Sequence, residues 1–196
     1  MMKWDRTAAL TSVIVLGALG VGTAVSTHLP KADDVTHAPF IVQGAVGKPV
    51  KLRTGELVVL GVDGSTVVTS PLDRAISKNG VFVVIRVRWT PSLKPQGLDV
   101  VEVMSASGRL YGDEQAVQSR CNPAQTGIPL TCQLVFEMPP SEVPGATLLV
   151  PSELSGVTGG DLEAHIALGA TDESVKAWTA RTDPIDLPGP KAGTTP

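Results

Sequence analysis

Two cysteines lie eleven positions apart, Cys121 and Cys132, in the stretch RCNPAQTGIPLTCQLVFEMPP. Thiols placed in this way can bind a metal, carry out redox chemistry or form a disulfide. A structural zinc site needs four ligands, and no histidine lies near either cysteine in sequence. The spacing also differs from the Cys-x-x-Cys of thiol oxidoreductases. A disulfide is therefore the expected state if the compartment is oxidising, with a zinc site as the alternative.

The N-terminus predicts the compartment. Residues 7–27 (TAALTSVIVLGALGVGTAVST) carry no charge over 21 positions, about the length that one helix needs to cross roughly 30 Å of bilayer hydrocarbon. Lys3 and Arg6 precede this run, so the positive-inside bias puts residues 1–6 in the cytoplasm and the rest of the chain outside. The alternative is a secretory signal peptide that is cleaved near Ser26. Both interpretations predict export, and export favours the disulfide.

The charge of the exported part excludes some partners. Beyond residue 27, Lys+Arg falls from 16 to 14 and Asp+Glu from 19 to 18, which leaves a net charge of −4. A mildly acidic domain is a poor candidate for binding nucleic acid or an anionic membrane surface. The sequence also lacks a Gly-x-Ser-x-Gly elbow, a His-Glu-x-x-His pair and a phosphate loop. We therefore expect no enzyme activity, no catalytic residue and no cofactor.

Weaker candidates for chemistry remain. His165 is the one histidine within the predicted folded part, beside Glu163 and Asp161, and this trio could hold a metal or act as a base. A solvated strand face is the favoured interpretation of the trio. A calcium site could form from loop carboxylates, although such residues more often serve solubility. The residues of this acidic rim are Asp99, Glu102, Asp113 and Glu114.

The strongest strand signal is VFVVIRVRW, residues 81–89. Its odd-numbered residues are apolar and share one face, so that face is predicted to be buried. Arg86 and Arg88 lie on the other face, which is predicted to be wet. This pair of arginines is the candidate contact for an acidic partner, and ordinary surface charge is the alternative.

Other segments repeat the same short, valine-rich pattern. Residues 56–70 are typical of a hairpin with a primed turn at Asp63-Gly64. Residues 131–138 alternate with Cys132 on the inward side, and residues 161–168 alternate with leucine and isoleucine inward. About seven or eight such strands predict an all-β domain, a β-sandwich over residues 40–168, with a closed barrel as the alternative.

The segments outside this domain have different compositions. Residues 28–39 are polar and flanked by prolines, which predicts a stalk between membrane and domain. The C-terminal extension, residues 169–196, is predicted to form a short helix between Asp172 and Arg181 and then to lose order. Within that helix, Trp178 is expected to pack back on the sandwich.

Three segments carry a resemblance to a known family: GKPVKLRTGELVVLGV, SKNGVFVVIRVRW and TGIPLTCQLVFEMPP. With Gly108 and Tyr111 in MSASGRLYGD, they resemble a bacterial family of extracytoplasmic domains of unknown function, over roughly Ala45 to Leu168. That family has a telokin-like, immunoglobulin-type sandwich. Thr90-Pro91 replaces the asparagines that usually follow the central strand. The resemblance implies an exported, non-catalytic module and transfers no active-site residue.

Two functions therefore remain as hypotheses. The first is a membrane-anchored interaction module that serves as an accessory to another envelope protein or complex. The second is a protein that binds a small molecule or ion as an accessory to a transporter. An exposed apolar patch on one sheet favours the first hypothesis, and a concave pocket with convergent polar groups favours the second.

Overall fold

A computed structural model describes residues 39–71, 73–98, 100–112, 121–152 and 162–193. The predicted cytoplasmic segment, membrane span and stalk up to residue 38 lie outside these residues, as do the last three residues. Within the described ranges, no helix is both long enough and apolar enough to cross a membrane.

The described chain is mostly β-structure. In chain order the strands are β1 Phe40–Ala45, β2 Pro49–Leu52, β3 Gly55–Ser65, β4 Val67–Thr69, β5 Arg74–Ile76, β6 Val81–Pro91, β7 Gln96–Leu98, β8 Glu102–Met104, β9 Leu110–Tyr111, β10 Cys121–Ala124, β11 Leu130–Met138, β12 Thr147–Pro151, β13 Leu162–Ala167, β14 Ile185–Asp186 and β15 Lys191–Ala192. A 3-10 turn, Pro140–Glu142, and one α-helix, α1 Asp172–Ala180, complete the described elements. More strands form than the predicted seven or eight, because ladders of two or three residues are too short to show alternation in sequence.

Two five-stranded sheets make up the domain. The front sheet has the order β15-β11-β6-β3-β2, and all its neighbouring strands are antiparallel. The back sheet has the order β1-β13-β12-β8-β9, with β1 parallel to β13. A single hydrophobic cluster takes buried side chains from both sheets. The sheets therefore pack face to face as a β-sandwich, as predicted.

Strand β6 lies at the centre of the front sheet, between β11 and β3. Its odd-numbered residues face the back sheet and are buried, as the alternation predicted. The other face differs from the prediction at its start, since Phe82 and Val84 are buried as well. They pack with Val135 of β11 against Val68 and Leu187. A small third sheet, β14-β4-β5, supplies this cover, so the outer face is open only from Arg86 onward.

The predicted primed turn at Asp63-Gly64 is wrong. Strand β3 continues through both residues, and Gly64 lies opposite Val83 of β6. Gly64 does not have the positive φ that such a turn requires. A Cβ atom at Gly64 would lie 2.6 Å from the indole of Trp178. The glycine is therefore needed for close packing of α1 on the strand.

The C-terminal segment is more ordered than its composition predicted. Helix α1 forms where expected, begins with a capping box at Thr171, and packs Trp178 against the core. Beyond it, β14 pairs with β4, and Leu187 is buried. Strand β15 then pairs with the start of β11. Proline and glycine did not prevent order here, because the segment adds to sheet edges that already exist.

Candidate functional site

The two cysteines form a disulfide, as predicted. Cys121 begins β10 and Cys132 lies in β11, with their Cα atoms 5.6 Å apart. Both are buried, and Cys132 is on the core face of its strand. The bond attaches the small β7–β10 ladder to the front sheet. Its role is structural, because neither sulfur is available as a thiolate for metal binding or redox attack. A disulfide also indicates an oxidising, extracytoplasmic environment.

The two arginines lie on the open half of the front sheet's outer face. Arg86 is exposed and Arg88 is half-buried. The alternation of β6 puts both guanidinium groups on the same side, two residues apart. Gly61 on β3 lies directly opposite Arg86, and a Cβ there would be 3.7 Å from Nη2 of that arginine. The guanidinium therefore lies over its neighbouring strand, at ordinary contact distance from the position of a Gly61 side chain.

Neither guanidinium has a carboxylate partner within the described part of the chain. The ion pairs seen elsewhere join Arg181 to Asp63 at 2.9 Å and His165 to Glu163. A guanidinium without an internal partner can form paired hydrogen bonds with an external carboxylate. Arg86 and Arg88 are therefore chemically suited to an acidic ligand or partner.

Two lysines that the sequence alone did not indicate share this face. Lys191 of β15 is opposite Thr131, which is opposite Arg88. Lys51 of β2 is opposite Glu56, which is opposite Thr90. We call the set Arg86, Arg88, Lys51 and Lys191 the basic face. Sequence could not reveal it because the four residues come from three strands whose adjacency depends on the sheet topology.

A shallow groove continues the basic face toward one end of the sheet. Its volume is about 530 Å³. The lining residues are Lys51, Leu52, Gly55, Glu56, Thr90, Pro91, Ser92, Thr126 and Gly127. The hydroxyl groups and Lys51 can bind an anionic group, but the carboxylate of Glu56 repels such a group. The groove is therefore suited to a chain that carries mixed polar groups rather than to a bare anion.

The side chain of His165 is less exposed than predicted, since a solvated strand face was the favoured interpretation. Its side chain is 16% exposed, and Nε2 lies 2.5 Å from Oε1 of Glu163, which is 22% exposed. Asp161, the third residue of the suggested trio, lies outside the described residues. Within the described ranges, no group of three His, Cys, Asp or Glu residues is arranged to hold a metal ion. The pair has the hydrogen bond of a base and its orienting carboxylate, but no described nucleophile accompanies it.

The suggested calcium rim is mostly outside the described residues. Asp99, Asp113 and Glu114 fall there, and Glu102 alone is described. Glu102 is half-buried, and its side chain packs beside Gly112, whose added Cβ would lie 3.3 Å from its Cγ. The calcium hypothesis stays a prediction.

Comparisons with known proteins do not assign an activity. No family profile matches the sequence, and no curated protein matches it significantly. Among solved structures, an uncharacterized β-sandwich protein from Clostridium difficile 630 is similar, with a TM-score of 0.41 and 12% sequence identity. That match covers 70% of this chain and 99% of the other. The resemblance to the telokin-like family stays a prediction.

Proposed function

We propose that this protein is a membrane-anchored extracytoplasmic interaction module that binds an acidic segment of an envelope protein through its basic face. It acts by contact and performs no chemistry. The observation that carries the proposal is the pair Arg86 and Arg88, two cations on one side of the central strand without a carboxylate partner in the described chain.

The spacing of the arginines suits an extended acidic partner. Residues two apart on a strand are separated by roughly 7 Å. Carboxylates at alternate positions of an extended segment have the same spacing. Arg86 and Arg88 can thus each meet one carboxylate. Lys191 extends the positive charge toward β15, whereas Lys51 lies directly opposite Glu56. Complementary charge of this kind increases the association rate and selects against basic partners.

The anchor is part of the proposal. The uncharged run at residues 7–27 and its basic leading flank support a single span with the domain outside the cell membrane. The exported chain should then stay with membranes after alkaline washing. Release from the cell with a new N-terminus near Ser26 would replace the anchor with a cleaved signal peptide, and the contact proposal would still stand.

The alternative is binding of a small molecule or ion, as an accessory to a transporter. The groove beside Lys51 and Thr90 favours it, because about 530 Å³ is within the range of ligand pockets. The groove is open to solvent, however, whereas small-molecule sites enclose most of their ligand. A contact that lies along a peptide fits this shape better.

Charge reversal tests the proposal in cells. Crosslinking in intact cells, followed by recovery of the tagged protein, measures the partner. Arg86→Glu with Arg88→Glu should reduce partner recovery about tenfold or more, because repulsion replaces attraction. The matched control is Arg74→Glu with Lys78→Glu, which makes the same charge change at two exposed cations in and after β5.

The two variants separate a local contact from a general charge effect. Equal losses in both would contradict a specific role for the basic face. His165→Ala should leave recovery unchanged, since the basic face is on the other sheet. If His165→Ala abolished function while both arginine changes were silent, the contact proposal would fail and a chemical site would have to be sought.

A further inference from the structure

Five of the eight large apolar side chains that the described chain exposes lie at one end of the sandwich. We call this set the apolar end. Its members, with their exposed fractions, are Phe40 70%, Ile41 54%, Leu93 58%, Val100 45% and Ile128 44%. Single exposed apolar residues are ordinary, but a concentration at one end indicates a binding surface.

Hydrogen bonds show that the start of the back sheet belongs to this end. Phe40 lies opposite Leu162, at the start of β13. The Ser152 N–H donates to the Leu162 carbonyl at 2.8 Å. The Ser152 hydroxyl lies 3.3 Å from the hydroxyl of Thr54, in the turn between β2 and β3. The first residues of β1 are therefore close to the β2–β3 turn of the front sheet.

Two loops of the front sheet meet the same turn. The loop that carries Leu93 is held by a 2.8 Å hydrogen bond from the Ser92 N–H to the Thr54 carbonyl. The loop that carries Ile128 is held by a 2.8 Å bond from the Gly127 N–H to the carbonyl of the last residue of β6. Val100 lines a small cavity together with Thr54. All five apolar residues thus belong to the end of the sandwich that holds the β2–β3 turn.

The other three exposed apolar side chains, Val46, Ile76 and Leu110, are elsewhere. Ile76 is opposite Val67, beyond the far end of β3. Leu110 is opposite Met104, which is opposite Thr147 at the start of β12. These positions belong to the opposite end of the sandwich, and they serve as internal controls because they are as exposed as the members of the apolar end.

We infer that the apolar end docks on a lipid bilayer surface. The five exposed residues come from three separate loops and the start of β1. Fluid lipid adapts to such separate projections, and burial of their apolar area provides the driving force. Two exposed cations, Arg53 in the β2–β3 turn and Lys94 in the loop that carries Leu93, lie at this end, and the bilayer surface presents phosphate headgroups.

The direction of the chain supports this occupant. Pro39 precedes Phe40, so the described chain begins at the apolar end. Of the two ends, this one is therefore nearer in sequence to the predicted membrane segment. The net charge of −4 disfavours an anionic membrane as a partner for the domain as a whole, but the contact inferred here is confined to one end and is driven by apolar burial. The inference uses neither Arg86 nor Arg88, and it goes beyond the proposed partner contact.

Site-directed fluorescence tests the inference. Single cysteines replace Leu93, Ile128, Ile76 and Leu110 in four variants of the full chain, each labelled with the environment-sensitive fluorophore NBD. The native cysteines do not react because they are bonded to each other. Each protein is reconstituted into vesicles of phosphatidylcholine and phosphatidylglycerol. Emission at Leu93→Cys and Ile128→Cys should shift to shorter wavelength and be quenched by lipids that carry a nitroxide on the acyl chain.

The control positions decide the result. Ile76→Cys and Leu110→Cys should keep the emission of a probe in water. Water-like emission at all four positions would overturn the inference, and the proposed contact through the basic face would be unaffected. A shift at Leu93→Cys without quenching by the nitroxide lipids would also overturn it, because another protein surface would then cover the apolar end.

Discussion

The two faces of β6 have different surroundings along the same eleven residues. On the inner face, the side chains from Val81 to Trp89 are buried over the whole length by the back sheet. On the outer face, Phe82 and Val84 are buried but Arg86 is exposed. Successive side chains alternate between the two faces along the whole strand. The difference comes from the small β14-β4-β5 sheet, which covers only the first half of the outer face.

This comparison shows how a single strand can serve both stability and binding. The inner face and the covered part of the outer face hold the front sheet in a fixed geometry. The uncovered part then presents Arg86 and Arg88 from a rigid support rather than from a loop. A contact surface on a sheet is positioned more accurately than one on a mobile segment.

The largest expected effect tests whether the outer face is buried at its start. Phe82→Ala should lower the free energy of unfolding by about 3–5 kcal/mol, since the ring is 2% exposed and its removal leaves a cavity. Arg86→Ala, on the same face, should change it by no more than about 0.5 kcal/mol. Urea denaturation measures both. A small loss for Phe82→Ala would mean that the whole outer face is wet.

Removal of the disulfide tests how much stability the sandwich gains from the attachment of the β7–β10 ladder to β11. Replacing both cysteines with serine should cost about 3 kcal/mol, the value for a closed loop of about twelve residues in the chain-entropy model. The far-ultraviolet circular dichroism should stay that of the sandwich, because the sheet ladders of β11 and β6 do not depend on the bond. Mass spectrometry of the exported wild-type protein should find Cys121 linked to Cys132, and reactive thiols there would contradict this assignment.

Gly64 tests the close packing of α1 on the front sheet. A Cβ atom at this position would lie 2.6 Å from the Trp178 ring, so Gly64→Ala should cost about 1–3 kcal/mol through overpacking. Gly61→Ala in the same strand is the matched control, since its nearest contact is an ordinary 3.7 Å. A double-mutant cycle with Trp178→Ala should show coupling. Equal costs for the two glycine changes would exclude the indole as the cause.

The smallest expected effect on stability comes from an exposed hydrogen bond between Ser107 and Glu142. The Ser107 hydroxyl donates to Oε2 of Glu142 at 2.6 Å. This bond, followed by that of Ser105, holds the pKa of Glu142 below its ordinary 4.5. A pKa lowered by folding adds stability that is present above about pH 4.5 and is lost as the pH falls through the folded pKa.

Ser107→Ala should raise the pKa of Glu142 toward its ordinary value and reduce the loss of stability on acidification. NMR titration of the Glu142 carboxyl measures the shift. Ser141→Ala, at the residue before Glu142, is the control and should leave the titration unchanged. An unaltered titration in Ser107→Ala would assign the lowered pKa to another cause.

Much of the fold could be predicted because its signals are local. The alternation of residues 81–89 and 161–168 follows from the two-residue period of a strand, and the structure has both strands. Helix α1 and the packing of Trp178 also followed from a short window of sequence. The turn predicted at Asp63-Gly64 does not form. Strand β3 continues through both residues, and Gly64 leaves space for the ring of Trp178, which is distant in sequence.

The candidate site could be predicted only in part. Arg86 and Arg88 were found because they interrupt an apolar strand. Lys191 was missed because its strand pairs with β11, which lies far away in sequence. Lys51 was missed because its local β2–β3 hairpin joins this face only through the distant pairing of β3 with β6. The apolar end was missed for the same reason, since its residues come from four separate segments that meet at one turn.

By itself, the sequence determined which side chains of each strand share a face, and it favoured a disulfide over a zinc site and a β-sandwich over a closed barrel. Each of these follows from neighbouring residues or from the predicted compartment. Only the tertiary structure decided which outer faces are covered and where exposed charges and apolar side chains collect. Burial depends on what another segment of the chain places across a surface, and strand pairing over long separations in sequence leaves little local trace.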